Sequence, residues 1–411
     1  MNEPRRLAVG VVGNGPSAIC LSLFLSGWRP MYAGPHPDPD LARRLHGVAD
    51  LLATDLGALS RGLGGRGNNP LANLFDALHH PQADGGGVRP PCIRLRHDPH
   101  RAVPHMVLGS GPPGGSWHAM PEGMLTLSPG HWMELPGWPL FDWGRAGGRW
   151  IDPGRRLERA LVADYFRDYV THMGLAERFA TGLRVTAAEP DPGGWRVTAR
   201  SGDGAEHAFR FQRLVLATGM YDRPRRLGIG GEDLGLVSHR AGDCAAGDGP
   251  VLVAGAGLSA ADGILAARQA GRAVVHAFVD DPAATAMARL DPALYPEYHW
   301  LARAMAGPGE AGYVPLAGTR LTAVGADGTC ALTGPHGAGT VRVATVAVLI
   351  GSDPDLGCVA GVLPPGAAPD PLTFRLGPSG LYAIGPLAGD NFVRFVTGHA
   401  LGAARHILAR G

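Results

Sequence analysis

"LAVGVVGNGPSAICLSLFL", residues 7–25, decides the fold. Leu7 to Val12 form a short apolar run of strand length. Gly13, Asn14 and Gly15 then break any regular pattern, and from Pro16 onward the spacing predicts a helix. The turn reads G-x-G-x-x-A at Gly13, Gly15 and Ala18. In such a turn the first Gly permits the tight bend and the second lets backbone approach a pyrophosphate. The small third residue lets helix and strand pack closely, with the helix N-terminus facing the phosphates. Pro16 suits the first helical turn, and Ser17 beside it adds a hydroxyl.

The same plan returns far along the chain. "PVLVAGAGLSAADGILAARQAGRAVVHAF", residues 250–278, gives a strand, then Gly255, Gly257, Ser259 and Ala260, a helix, and a second strand. Each copy has the strand before and the helix after that the motif requires, so two dinucleotides in one chain are expected. The acidic residue expected about 20 positions on, for the adenosine ribose, is poorly represented in both copies. After the first copy the chain reads Met31-Tyr32-Ala33-Gly34-Pro35-His36, with no carboxylate until Asp38. After the second, Asp280 and Asp281 come slightly late.

Composition narrows the alternatives. The 411 residues carry 37 Lys and Arg against 36 Asp and Glu, a net charge of +1. That balance recommends neither nucleic acid nor an anionic membrane as partner. Cys20, Cys92, Cys244, Cys330 and Cys358 are scattered, with no C-x-x-C. A disulfide framework, a zinc ribbon and a thioredoxin-type dithiol are excluded, no metal site is expected, and a reducing cytoplasm fits. The apolar N-terminal stretch is interrupted by the glycine turn, so a signal or membrane segment is not expected.

Between the cradles, "PPGGSWHAMPEGMLTLSPGHW", residues 112–132, is too apolar and aromatic for a solvated loop. "RLVLATGMYDRP" ends a strand at Ala217-Thr218-Gly219. "TVAVLIGSDPDL" makes a similar strand-to-turn at Gly351. "GLYAIGPLAGDNFVRFV" gives a strand, a glycine turn with Asp390 and a helix from about Asn391, capped by Asp390 or Asn391. Residues 183–213 read as a small antiparallel sheet, and 34–104 as a long excursion with short helices. His118 and His131 could serve as acid or base, although a structural histidine is the commoner outcome.

These runs together resemble the class B flavin-dependent monooxygenases. "GNGPSAICLS", "GLSAADGILAAR", "ALYPEYH", "LIGSDPDL" and "GPLAGDNFVRFV" are more specifically similar to the oxidative stress-induced growth inhibitor family. The run from Trp117 to Trp132 is similar to a segment of the ornithine and lysine N-hydroxylases and departs from it at His131. The resemblance implies an α/β fold with two Rossmann-like dinucleotide-binding domains, the NAD(P)H domain inserted in a discontinuous FAD domain. The expected boundaries are 1–245 for the first part of the FAD domain (with the excursion, 34–150), 246–335 for the NAD(P)H domain and 336–411 for the second FAD part.

It further implies FAD on Gly13, Gly15, Pro16, Ser17 and Ala18, and NADPH or NADH on Gly255, Gly257, Ser259 and Ala260. The flavin ring would meet Gly114, Gly115, Trp117, His118, Met124, His131, Thr218, Gly219, Asp390 and Asn391. Asn391, Arg394 and His118 are the catalytic candidates. The implied activity is oxygenation of a small molecule by a flavin C4a-(hydro)peroxide formed with O2, with amine N-hydroxylation in bacterial secondary metabolism as the leading expectation. Baeyer–Villiger or carbon and sulfur oxygenation, an NAD(P)H oxidase or flavin reductase, and a non-catalytic regulatory flavoprotein are the alternatives. The oligomeric state stays open, a homo-oligomer included.

Overall fold

The structure, a computed structural model, describes residues 6–410 apart from 87, 122, 364–365 and 378–379. It divides into two compact units, residues 1–220 with 354–411 and residues 221–353.

In the first unit the strand Leu7–Val12 lies at the centre of a parallel array. His105–Leu108 pairs with it on one side and the end of Glu206–Leu216 on the other. Phe179–Ala180 and Leu381–Ala383 complete the two flanks in parallel. Leu183–Asp191, Gly194–Ser201 and the start of Glu206–Leu216 form the antiparallel meander expected over 183–213, continuous with the same sheet. Val9 and Val11 are wholly buried, as a parallel strand covered on both faces must be.

The helix Pro16–Leu25 is buried along its length from Ser17. It packs against the C-terminal helix Val393–Leu408, which in turn packs on Pro70–His79 from the excursion. Gly398 and Gly402 make the last approach close, since a methyl at Gly398 would run into the backbone of Leu71 and one at Gly402 into the side chains of Leu71 and Phe374. The excursion is thus part of the core.

One strand stands outside the central sheet, and one expectation is corrected. The strand after the first helix, Trp28–Tyr32, does not join the central sheet; it pairs antiparallel with Ile93–His97. Pro30 lacks the amide that a central strand needs, and the position beside Leu7–Val12 goes to His105–Leu108. The C-terminal helix begins at Val393 with Phe392 as its N-cap, and neither Asp390 nor Asn391 caps it.

The second unit has a five-stranded parallel sheet in the order Val237–Ser238, Thr345–Val348, Val251–Ala254, Val274–Phe278, Tyr313–Ala317. An antiparallel three-stranded sheet follows, Arg320–Val324, Thr329–Gly334 and Gly337–Arg342. The unit is therefore wider than 246–335 at both ends. Its sheet recruits Val237–Ser238 and Thr345–Val348, the latter placed by sequence in the flavin part.

Candidate functional site

The first cradle is built by the sheet order. Gly13 donates its N–H to Leu108 O (2.8 Å), and Ala217 donates to Val12 O (2.8 Å). The turn therefore sits where the two neighbouring strands end. Gly13 has φ +98°, and a methyl there would run into the carbonyl of Ala217. At Gly15, by contrast, a methyl would meet nothing within 4 Å. Gly15 is the N-cap of Pro16–Leu25, with no side-chain cap and no acidic residue in the first turn. The first amides of that helix are free to meet an anion.

Three further turns close on this helix start. Gly114 donates to Asn14 O (2.9 Å), which brings the Gly114-Gly115 loop over the cradle. Gly115 lies so near that its Cβ would sit 3.1 Å from the Cα of Gly15. Gly385 packs directly on the Ser17 side chain. Thr218, beside Gly13, carries a buried hydroxyl with no hydrogen-bond partner. An open backbone edge, an uncapped helix and an orphaned hydroxyl at one spot fit a nucleotide cofactor.

Sequence reading missed Asn14. Its amide donates to Gly111 O (2.6 Å) and Pro112 O (3.0 Å), tying the aromatic loop to the cradle. Because His105–Leu108 is the neighbouring strand, the position usually given to a ribose-binding carboxylate falls at Gly109. Gly109 packs on the Asn14 side chain, and no carboxylate stands there.

The second cradle repeats the geometry. Gly255 has φ +126° and packs on the carbonyl of Leu349, while Gly257 faces open space and is the uncapped N-cap of Leu258–Gln269. His276, wholly buried, donates from Nε2 to Gly255 O (2.7 Å) and accepts from the Tyr313 hydroxyl at Nδ1 (2.7 Å). Burial presses its pKa down to about 4. Ala260 is buried under the strand and Ser259 is exposed. Asp281 caps the short helix Pro282–Ala284, leaving Asp280 exposed just past the strand.

Several expected site residues make internal bonds. Arg394 is largely spent on carboxylates, with Nη1 buried and without a partner. Its Nε and Nη2 bind Asp76, Nη2 also binds Asp84 (2.9 Å), and the guanidinium stacks 4.2 Å from the Trp132 ring. His118 is bound to its own loop, with Nε2 donating to Pro113 O (2.8 Å). Asp390 is buried, accepting from Asn68 N–H (2.6 Å) and from His399 Nε2 (2.9 Å), so its carboxylate fixes the turn. His131 donates Nδ1 to Pro153 O (2.7 Å), and burial lowers its pKa. Met124 meets Arg159 through its carbonyl. Trp117 packs edge-on against Phe166 and stays half-buried. Asn391 is exposed ahead of the helix.

The thiols offer no redox pair. All five cysteines are free, four of them buried, and burial pushes Cys20 up to about 12 and Cys244 and Cys330 up to about 11. A second cluster was also missed. His79, His80 and Glu134 each place a ligand atom within 4.8 Å of the others.

Comparison with known proteins completes the picture. The chain is 40% identical over 468 aligned residues to human oxidative stress-induced growth inhibitor 1, covering 100% of this chain and 96% of that protein. The chain belongs to the oxidative stress-induced growth inhibitor family. Residues 100–304 of this growth inhibitor homologue also match the pyridine nucleotide-disulphide oxidoreductase family, which implies FAD and a nicotinamide cofactor in general terms. Bacillithiol disulfide reductase from Bacillus cereus superposes with a TM-score of 0.66 at 16% identity, covering 99% of this chain and 100% of that one. Ornithine hydroxylase from Pseudomonas aeruginosa, in its reduced form, gives 0.62 at 14%, covering 98% and 99%. This growth inhibitor homologue thus shares its fold with those flavin-dependent enzymes. Among the described residues no helix is long and apolar enough to cross a membrane.

Proposed function

We propose that this chain is an FAD- and NAD(P)H-dependent monooxygenase acting on a small molecule in the cytoplasm. The observation that carries the reading is the convergence at the first cradle. The Gly13 turn, the Gly114-Gly115 loop and the Gly385 turn meet at one uncapped helix start, beside the orphaned Thr218 hydroxyl. When bound, FAD reduced by NAD(P)H supplies the electrons with which one atom of O2 goes to substrate and the other to water.

This chain's share is to bind, orient and exclude water. The amides at Pro16–Leu25 hold the pyrophosphate, with Gly15 admitting it closely. Asn14 and His118 keep the aromatic loop folded over the cradle, where Trp117 supplies an apolar wall. Thr218, with its orphaned hydroxyl, and exposed Asn391 bring hydrogen-bonding capacity toward the ring. In the second cradle, exposed Asp280 supports NADH over NADPH, because a carboxylate there accepts a ribose hydroxyl and repels a 2′-phosphate. The similarity to ornithine hydroxylase favours an amine nitrogen as the atom oxidised, with ketone or sulfur oxygenation as the nearest alternatives.

A second reading is a regulatory flavoprotein. Arg394, His118 and Asp390, the side chains best suited to chemistry, are all committed to internal bonds. The deciding experiment supplies purified protein with FAD, NADH or NADPH, 18O2 and a panel of amines, ketones and sulfides. Label in an organic product is the expected result. Hydrogen peroxide as the sole product selects an oxidase, and a protein that takes up no FAD removes both enzyme readings.

A further inference from the structure

We propose that His79, His80 and Glu134 form a binding site for one divalent transition-metal ion, with zinc the ion their donors suit best. The helix Pro70–His79 ends at the first histidine, and His80 leaves it as C-cap with φ −126° and ψ 65°. That bend lets two adjacent residues turn their rings together, with centroids 4.2 Å apart. Glu134 arrives from the loop after the Gly130–Trp132 turn. Its Oε2 accepts from Leu140 N–H (3.2 Å), which orients the carboxylate. One ligand atom from each residue lies within 4.8 Å of the other two, close enough for side-chain rotation to bring all three onto one ion. The site is empty.

An independent observation points at a ligand. The His80 side chain is 4% exposed, and its Nδ1 faces Asp76 Oδ1 at 3.2 Å. Asp76 also accepts from Arg394 Nε (2.7 Å), which anchors the carboxylate on the Nδ1 side of the His80 ring and leaves Nε2 on the other. That Nε2 is buried and has no hydrogen-bond partner. A carboxylate on one imidazole nitrogen with the other left bare is the arrangement that orients a metal-ligating histidine.

Charge agrees. Arg394 is balanced by Asp76 and Asp84, so it brings no unpaired positive charge to the cluster. Two imidazoles and one carboxylate suit zinc and leave a fourth position for solvent. Such an ion would clamp the excursion helix to the aromatic loop within the first unit. The proposal is independent of the flavin reading.

The test is zinc titration by calorimetry, after chelator dialysis, of the full chain with and without FAD, with Co2+ absorption in parallel. One site per chain and a tetrahedral cobalt spectrum are expected. Glu134→Gln, nearly isosteric and able to keep the Leu140 bond, should weaken zinc at least tenfold without altering circular dichroism. His80→Ala should do the same or more. Absence of binding by the parent chain, or equal binding by both variants, overturns the proposal. A protein that binds zinc but no FAD would sink the flavin reading alone.

Discussion

The two glycine cradles share one backbone plan and differ in what surrounds it. In both, the first glycine is driven against a neighbouring strand's carbonyl and the second faces open space. The first helix is buried from Ser17 to Leu25, and loops close on its start. The second helix buries only Ala260, Ala261, Gly263, Ile264 and Ala267. One cradle is walled in and the other stays accessible, as a resident cofactor and an exchanging coenzyme would require. The first glycine of each pair shapes the turn, and the second leaves open space beside the helix start.

The largest expected effect breaks the shared plan. Gly13→Ala and Gly255→Ala each force a side chain into positive φ and into a backbone carbonyl. Each should cost about 3–5 kcal/mol, read by urea unfolding, with the damage confined to its own unit. A destabilisation below about 1 kcal/mol would refute the packing argument.

Acid should weaken both units similarly. The second unit has buried His276 and the first has buried His105, each pinned by two hydrogen bonds. His276 is held by Gly255 and Tyr313. His105 donates Nδ1 to Val103 O and accepts from the Ser22 hydroxyl, and its pKa is also pressed to about 4 by burial. The folded values lie below the unfolded one of about 6.5. The stability each contributes is therefore complete above that value and is lost as pH falls toward about 4. The loss approaches about 3 kcal/mol per histidine. Unfolding at pH 7.5 and 4.5, with His105→Gln and His276→Gln, checks this: each variant should flatten the slope of its own unit.

Asn14→Ala sharpens the difference between the cradles, because Ala256 occupies the equivalent place in the second. Loss of two hydrogen bonds from a buried amide should cost about 2 kcal/mol and loosen flavin retention, measured by the flavin:protein ratio after gel filtration. A fully retained flavin would show that Asn14 does not hold the loop.

Smaller in stability, and more telling, are Gly15→Ala and Gly257→Ala. Both positions have φ values that alanine accepts, −73° and −84°. Unfolding free energies should move by less than about 1 kcal/mol. Gly15→Ala should nevertheless lose flavin. Gly257→Ala should keep flavin and raise the KM for coenzyme tenfold or more. Asp280→Ala should only narrow the NADH-to-NADPH preference, seen as a change in the ratio of kcat/KM values.

Both cradles were legible because the motif is local: strand, turn and helix lie within one short window. What failed to show was set by distant residues. The partner strand of Leu7–Val12, His105–Leu108, lies beyond the long excursion. Arg394 reads as a free cation at a helix start until Asp76 meets it across 318 residues of sequence. Asp390 reads as exposed turn chemistry until His399, nine residues on, pulls it inward. The strand Thr345–Val348 matches the Ala-Thr-Gly strand in pattern, and only pairing decides which sheet receives it. His79, His80 and Glu134 had no spacing signature, because a carboxylate from a separate loop completes the set.

The discontinuity of the first unit has a consequence for synthesis on the ribosome. The second unit is one uninterrupted stretch and has every strand of its sheet once residue 348 is made. The first must wait for Leu381–Ala383 and for the helix that buries Pro16–Leu25. Nascent chains therefore hold a complete second unit while the first is unfinished and its apolar helix lacks its cover. Chaperone demand and aggregation should concentrate on that first unit until the last helix emerges.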